Sequence, residues 1–276
     1  MAYEKLDGAS LDYDPCQYPG SKLLFRGPKR SLETPYVAFL GGTETYGKFI
    51  ADPYVSLVEA ELGMPCVNFG WSNAGVDVFL NDKGVLRAAR DAQAVVLQLP
   101  GAQNMSNRFY AVHPRRNDRF VKPRELMLQI FPEVDFSEFH FTRHMLNHLR
   151  RRAPSRFATV RNELQTLWVA RMRLLLMQLN GRVIMLYFSK REPDQHSDSP
   201  DIGVDPAFVT EAMIDEIRQE GAEVIEVCET PEAAAAGTDG MVCSSVELAA
   251  ANELLGPIAH QDAARALVAP LRYMLA

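Results

Sequence analysis

Cysteine is scarce in this chain. Its four copies, Cys16, Cys66, Cys228 and Cys243, have no metal-type spacing, so reduced and partly buried thiols are expected rather than a disulfide or zinc framework. No window approaches the roughly 18 uninterrupted apolar residues of a membrane span, and the opening MAYEKLDGAS lacks the charged-then-apolar pattern of a leader. The expected compartment is the cytoplasm. Excess positive charge is missing as well: Lys and Arg number 29 against 35 Asp and Glu, a net charge of −6. Bulk electrostatics therefore do not draw the chain to nucleic acid or an anionic membrane, and neither partner is expected. Internal repeats are absent too.

What is present is an ordinary globular composition, 47% hydrophobic and 23% charged over 276 residues. One α/β domain covering 1–276 accommodates it, with an irregular arm at 1–35 and an inserted element at 102–156. Tyr36 to Leu40 read as a first buried strand. Asp52-Pro53 reads as the cap and first residue of a helix closed by Gly63. Pro65 to Phe69 follow as a strand, Val76 to Arg90 as one helix, and Ala94 to Leu99 as a third strand. After the insertion come a long amphipathic helix over Phe157–Leu179, stopped by Asn180-Gly181, and a strand over Val183–Phe188. A polar loop spans 189–204, and Asp205-Pro206 opens another helix. A strand at Glu223–Val227, an alanine-rich connection at 233–236 and a loop running into a last helix complete the chain. This alternation predicts a three-layer α/β/α sandwich around five parallel strands in flavodoxin-like order, with right-handed crossovers. The insertion, long and without strand signals, is expected to be a lid, a binding element or a subunit contact. The arm and the insertion are the two candidate surfaces for a homo-oligomer.

The stretch Tyr36–Gly47, YVAFLGGTETYG, concentrates the chemistry. An apolar run stops at two glycines, and hydroxyls with one carboxylate follow at the strand end, where open parallel sheets bind ligands. Three further stretches fall at later strand ends or beside the last helix: VNFGWSNAG, LQLPGAQN and GPIAHQDAARAL.

In this order the four stretches resemble the sequence blocks of the SGNH (GDSL-type) hydrolases, over about residues 36–274. FLGGTETYG is similar to the family's F-x-G-D-S-x-T-x-G, with Thr43 in the place of the nucleophilic serine and Gly42 in that of the aspartate. The resemblance implies oxyanion donors at Asn73 or Gly75 in the second block and at Gln103 or Asn104 in the third. It implies His260 as base in the last block, D-x-x-H. Pro257 stands where the family's aspartate would lie, so Asp239, Glu253 or Asp262 would have to orient the imidazole. The implied activity is hydrolysis or transfer of an acyl ester through Thr43 and His260, on a small-molecule substrate and without a cofactor. A hydroxyl needs such a base, and an imidazole without its carboxylate loses about four orders of magnitude in the serine proteases.

Two alternatives stand beside this one. A catalytically inactive relative would bind a ligand or partner through the same crevice, with Thr43 satisfying the turn's amides and His260 capping the last helix. A transferase with an anionic, sulfo or phospho, donor would use the insertion's arginines, Arg150, Arg151 and Arg152 above all, with Arg143, Arg156, Arg115, Arg116 and Arg119 nearby. Two patterns are weaker. GTETYGK fits the glycine-rich phosphate loop, but Phe49 replaces the magnesium-binding hydroxyl and Glu44 would oppose a triphosphate. His140, His144 and His148 recur at helical spacing with no carboxylate at metalloprotease spacing, so no metal site is expected.

Overall fold

The computed structural model describes residues 11–179, 181–193 and 202–276. The first ten residues of the arm, Asn180 of the helix stop and 194–201 of the polar loop lie outside the described residues.

The chain enters the sheet at β1 (Val37–Gly41), turns through α1 (Thr43–Tyr46), and continues with α2 (Tyr54–Leu62), β2 (Cys66–Gly70), α3 (Val76–Asn81), α4 (Lys83–Asp91) and β3 (Ala94–Gln98). The insertion holds β4 (Tyr110–Val112), β5 (Phe120–Pro123), α5 (Glu125–Ile130) and α6 (Thr142–Arg152). Then follow α7 (Pro154–Leu179), β6 (Val183–Ser189), α8 (Glu211–Arg218), β7 (Glu223–Cys228), α9 (Pro231–Ala236), α10 (Leu248–Ala251) and α11 (Pro257–Leu275). The main sheet has five strands in the order β2-β1-β3-β6-β7, every pairing parallel. That is the flavodoxin-like order expected, and its direction reverses between β1 and β3.

Side-chain alternation splits the core into two layers. Val37, Phe39, Val96, Ile184 and Leu186 face Tyr54, Val58, Ala263 and Leu267 of α2 and α11. Ala38, Leu40, Val95, Leu97 and Met185 face the other way, against α3, α4, α7, α8 and the insertion. Successive strand residues point to opposite faces, so apolar runs are what a sheet covered on both sides requires. Trp168 of α7 is fully buried there and donates its indole N–H to the Pro100 carbonyl at 2.8 Å.

Several local expectations are corrected. The expected single helix over Val76–Arg90 breaks at Asp82, whose carboxylate caps α4 by accepting the Val85 N–H at 3.0 Å. Pro53, not Asp52, occupies the cap of α2. Asp205-Pro206 does not start a helix: that peptide is cis, and α8 begins at Glu211 behind the capping hydroxyl of Thr210. The alanine-rich connection coils into α9 because Thr230 caps it and Pro231 opens it. The insertion is not strandless, since β4 and β5 pair as an antiparallel hairpin. Residues 257–260 belong to α11 itself, Gly256 being the cap and Pro257 the first helical residue.

The described part of the arm is packed down. Tyr18, Leu23 and Phe25 are buried. The buried Arg26 guanidinium donates to the carbonyls of Gly47 (2.5 Å), Ile50 (2.8 Å) and Ala51 (2.7 Å). No helix among the described residues is long and apolar enough to cross a membrane.

Candidate active site

A crevice of about 500 Å³ opens beyond the carboxyl ends of the central strands; Thr43, Glu44, Asn73, Asn104, Asp118 and Arg143 are among its walls. Its geometry starts with Gln98, the last residue of β3. The Gln98 Oε1 accepts the Gly42 N–H (3.0 Å), the Thr45 N–H (3.1 Å) and the Thr45 hydroxyl (2.6 Å). The Tyr54 phenol sits 2.7 Å from the same hydroxyl. One buried carbonyl thus sets the turn that carries Thr43. The turn is a closed helical coil ended by left-handed Gly47, whose N–H returns to the carbonyls of Thr43 and Glu44. It forms no phosphate cradle, and the Lys48 ammonium lies 4.6 Å from the centre of the Phe49 ring.

Thr43 meets the second crest at Asn73, which has a left-handed backbone (φ 56°). The Asn73 N–H donates to Thr43 Oγ1 at 3.0 Å, and Asn73 Oδ1 lies 3.4 Å from that oxygen as an acceptor for its proton. The four residues named as oxyanion donors differ in what they have left to give. Asn73 and Asn104 both line the crevice, and Asn104 Nδ2 donates to the Asn73 carbonyl at 3.1 Å. The Gly75 N–H is spent on Asn117 Oδ1 at 3.2 Å, and its missing side chain makes way for the Asn104 carbonyl, 1.9 Å from where a Cβ would stand. Gln103 Nε2 is bound to Asp205 Oδ1 at 2.8 Å.

His260 is fully buried between the rings of Tyr54 and Phe188, and it is not part of the crevice wall. Its Nδ1 accepts the Tyr54 N–H at 3.1 Å. A backbone N–H can only donate, so the neutral imidazole carries its proton on Nε2. That nitrogen faces Glu44 Oε2 at 3.5 Å, while Glu44 Oε1 accepts the Leu255 N–H at 3.2 Å. The fold therefore brings His260 to the residue beside Thr43, with the Glu44 carboxylate between the imidazole and the crevice. Asp239, Glu253 and Asp262, offered as its orienting partners, form no hydrogen bond or ion pair with it; Asp262 pairs with Arg265.

The insertion closes one side. Trp71 donates its indole N–H to the Arg115 carbonyl at 2.6 Å, and Asp118, between β4 and β5, lines the crevice. Burial pushes the Asp118 carboxyl above the usual range. Arg143 is committed to Asp205 Oδ2 (2.8 Å) and the Gly203 carbonyl (2.6 Å). Arg150, Arg151 and Arg152 occupy the last turn of α6, off the crevice wall, where cations suit the helix's terminal carbonyls. Of the three histidines, His140 precedes α6, so they form no single helical stripe; His144 and His148 both pack on the Phe139 ring. Among the described residues no group of three or more His, Cys, Asp or Glu side chains is placed to hold a metal ion.

Glu44, Gln98 and Asp118 were not singled out as site residues by sequence. Gln98 left a trace, a lone amide at the end of an apolar strand. Glu44 stood beside Thr43 but figured only as an obstacle to triphosphate. Asp118 had no local signal.

A family model described as a domain of unknown function (DUF6473) matches residues 1–275. No curated protein matches the sequence. Among solved structures, a lipase/acylhydrolase from Enterococcus faecalis is similar with a TM-score of 0.47 and 10% identity, covering 87% of this chain and 96% of its own. A carbohydrate esterase family 2 enzyme with a carbohydrate-binding domain from Corynascus thermopiles (Myceliophthora fergusii) has a TM-score of 0.44 and 12% identity, covering 91% and 69%. A catalytic mutant of an acetylxylan esterase from Geobacillus stearothermophilus has a TM-score of 0.41 and 13% identity, covering 86% and 94%. These are likenesses of chain course, and the chemistry of this chain rests on its own residues.

Proposed function

The chain belongs to the DUF6473 family, and we propose that it is an SGNH-like acyl ester hydrolase or acyltransferase with Thr43 as nucleophile. The observation that carries this reading is the seat of Thr43 in the crevice. Its hydroxyl is gripped by Asn73, and the next residue, Glu44, is a carboxylate backed by His260. Thr43 Oγ attacks the acyl carbonyl as its proton leaves Asn73 Oδ1, toward which it points at rest, and passes to the neighbouring Glu44 carboxylate. The acyl C–O bond then breaks, the leaving alcohol takes that proton, and water or a second alcohol removes the acyl group from Thr43. His260 acts through Glu44 and not on the hydroxyl, its Nε2 facing the carboxylate at 3.5 Å without a hydrogen bond in the resting site. Asn104 lines the crevice, and the second proton of its Nδ2, beyond the one given to the Asn73 carbonyl, is the side-chain donor left for the developing oxyanion.

Turnover of short-chain aryl esters tests this. Thr43→Ala and Glu44→Gln are each expected to lower kcat by about 10²-fold or more. An inactive wild type across the ester panel, or activity that survives Thr43→Ala, overturns the reading.

A second reading is a ligand-binding relative without catalysis. It is favoured by one observation, the sealed imidazole whose Nδ1 is already taken by the Tyr54 N–H. It predicts thermal stabilisation by small polar esters or alcohols with no turnover. A transferase holding an anionic donor on Arg150–Arg152 has less support, since those side chains are off the crevice wall and Arg143 is neutralised by Asp205.

A further inference from the structure

Asn73 bridges the first two crests at Thr43, and its side-chain amide has a second end. Asn73 Nδ2 lies 3.5 Å from Asp118 Oδ2, in the connection between β4 and β5. The backbone of Asp118 is anchored where it can hold that position. Its carbonyl accepts the Thr142 N–H at 2.9 Å, with the Thr142 hydroxyl oxygen 3.3 Å away. The same hydroxyl donates to Asn104 Oδ1 at 2.7 Å, and Asn104 Nδ2 returns to the Asn73 carbonyl at 3.1 Å. Asn73 is thus held from its main chain and its side chain by residues of the third crest and the insertion.

From this arrangement we propose that Asp118 is a positioning residue of the site, supplied by the insertion, which fixes the sense of the Asn73 amide and through it the direction of the Thr43 hydroxyl. An ionised carboxylate only accepts, so it selects the amide orientation with Nδ2 toward Asp118 and Oδ1 toward Thr43. The hydroxyl then receives the Asn73 N–H, donates to Oδ1, and keeps its remaining lone pair for an incoming carbonyl. Reversing the amide would present an N–H₂ group to Thr43 and turn its proton outward. The role in turnover rests on the reading of Thr43 as nucleophile; the orientation of Asn73 does not.

The charged groups acting on Asp118 are Arg116 and Arg119 of its own connection; the titratable and charged groups that share its crevice wall are Glu44, Arg143, His144, Lys190, Asp205 and Glu253. Arg119 stacks on Phe141 at 4.0 Å, and Arg143 is paired with Asp205.

The test follows the Asn73 side-chain NH₂ resonances of the ¹⁵N-labelled full-length protein through an acid titration. A single step is expected, above the ordinary aspartate range, abolished in Asp118→Asn and retained in His144→Gln and Thr43→Ala. Asp118→Asn is also expected to lower kcat on an aryl ester by about tenfold. Resonances that do not titrate, or that titrate unchanged in Asp118→Asn, overturn the proposal whatever the turnover. An absence of turnover in the wild type, with the Asp118-dependent step intact, overturns the catalytic reading of Thr43 and leaves Asp118 as the residue that orients Asn73.

Discussion

His260 and Tyr54 share a hydrogen bond across 206 residues of sequence, the Tyr54 N–H donating to the imidazole Nδ1 at 3.1 Å in a fully buried setting. Three things depend on that imidazole: a backbone donor at the start of α2, the Glu44 carboxylate, and packing between two aromatic rings. His260→Ala leaves the donor unpaired and a cavity beside Phe188. The expected cost is about 2–4 kcal/mol by urea unfolding. A histidine merely capping a solvated helix end would cost roughly 0.5 kcal/mol or less.

Gln98 presents a similar concentration. Replacing it with the nearly isosteric leucine strips acceptors from the Gly42 and Thr45 N–H groups and from the Thr45 hydroxyl. Leaving buried donors unsatisfied predicts a loss of about 3 kcal/mol or more for Gln98→Leu. Amide exchange at Gly42 and Thr45 should accelerate more than exchange in β6. Uniform protection across the sheet would argue that the turn holds without this carbonyl.

Two glycines separate close approach from backbone conformation. A Cβ on Gly70 would stand 2.2 Å from the Tyr46 nitrogen and 2.6 Å from the Thr45 carbonyl carbon, main-chain atoms that cannot swing aside. Gly63, with φ 65°, has nothing within 4 Å of its missing side chain. Gly70→Ala should cost about 3 kcal/mol and displace the crest, while Gly63→Ala should cost only about 1 kcal/mol. Equal melting shifts would contradict this assignment.

Two carboxyls move in opposite directions, so their pH signatures have opposite sign. The hydrogen-bonded Arg156 guanidinium pulls Glu133 down to about 2. A depressed folded value gives stability that is present above the unfolded value, roughly 4.3, and lost as pH falls through about 2. The stability gap between wild type and Glu133→Gln should therefore shrink across that window. Burial raises Asp118 instead. A raised folded value favours the fold below the unfolded value, roughly 3.9, and that contribution disappears as pH rises through the folded one. Asp118→Asn is thus expected to unfold at higher urea than wild type at pH 7 and to lose the advantage in acid. Paired urea titrations from pH 7 to 2 check both signs.

Much of this layout was legible in the sequence. The apolar runs at 36–40, 94–99 and 183–188 read as strands covered on both faces, and the glycines behind the first two crests marked the rim where the crevice lies. Thr43, Asn73 and Asn104 were picked from the chain and do come together. The local errors had local causes: Asp205-Pro206 matched a helix start, but the cap that opens α8 is Thr210, and Gly256-Pro257 carries a helix start that reads as loop. The partner of His260 could not be read, because the residue that faces its Nε2 is 216 positions away, and Glu44 was weighed only against phosphate. Asp118 was out of reach for the same reason. Its approach to Asn73 follows from how a hairpin folds across two crests, which composition and periodicity do not encode.

Arg26 holds three loop carbonyls downstream of Thr43, those of Gly47, Ile50 and Ala51. A version of this protein trimmed to begin at its first sheet strand would lose that cation and leave the segment after Gly47 with stranded acceptors. Failure of so shortened a chain to bind or turn over a ligand would then report a slackened rim, not an idle one.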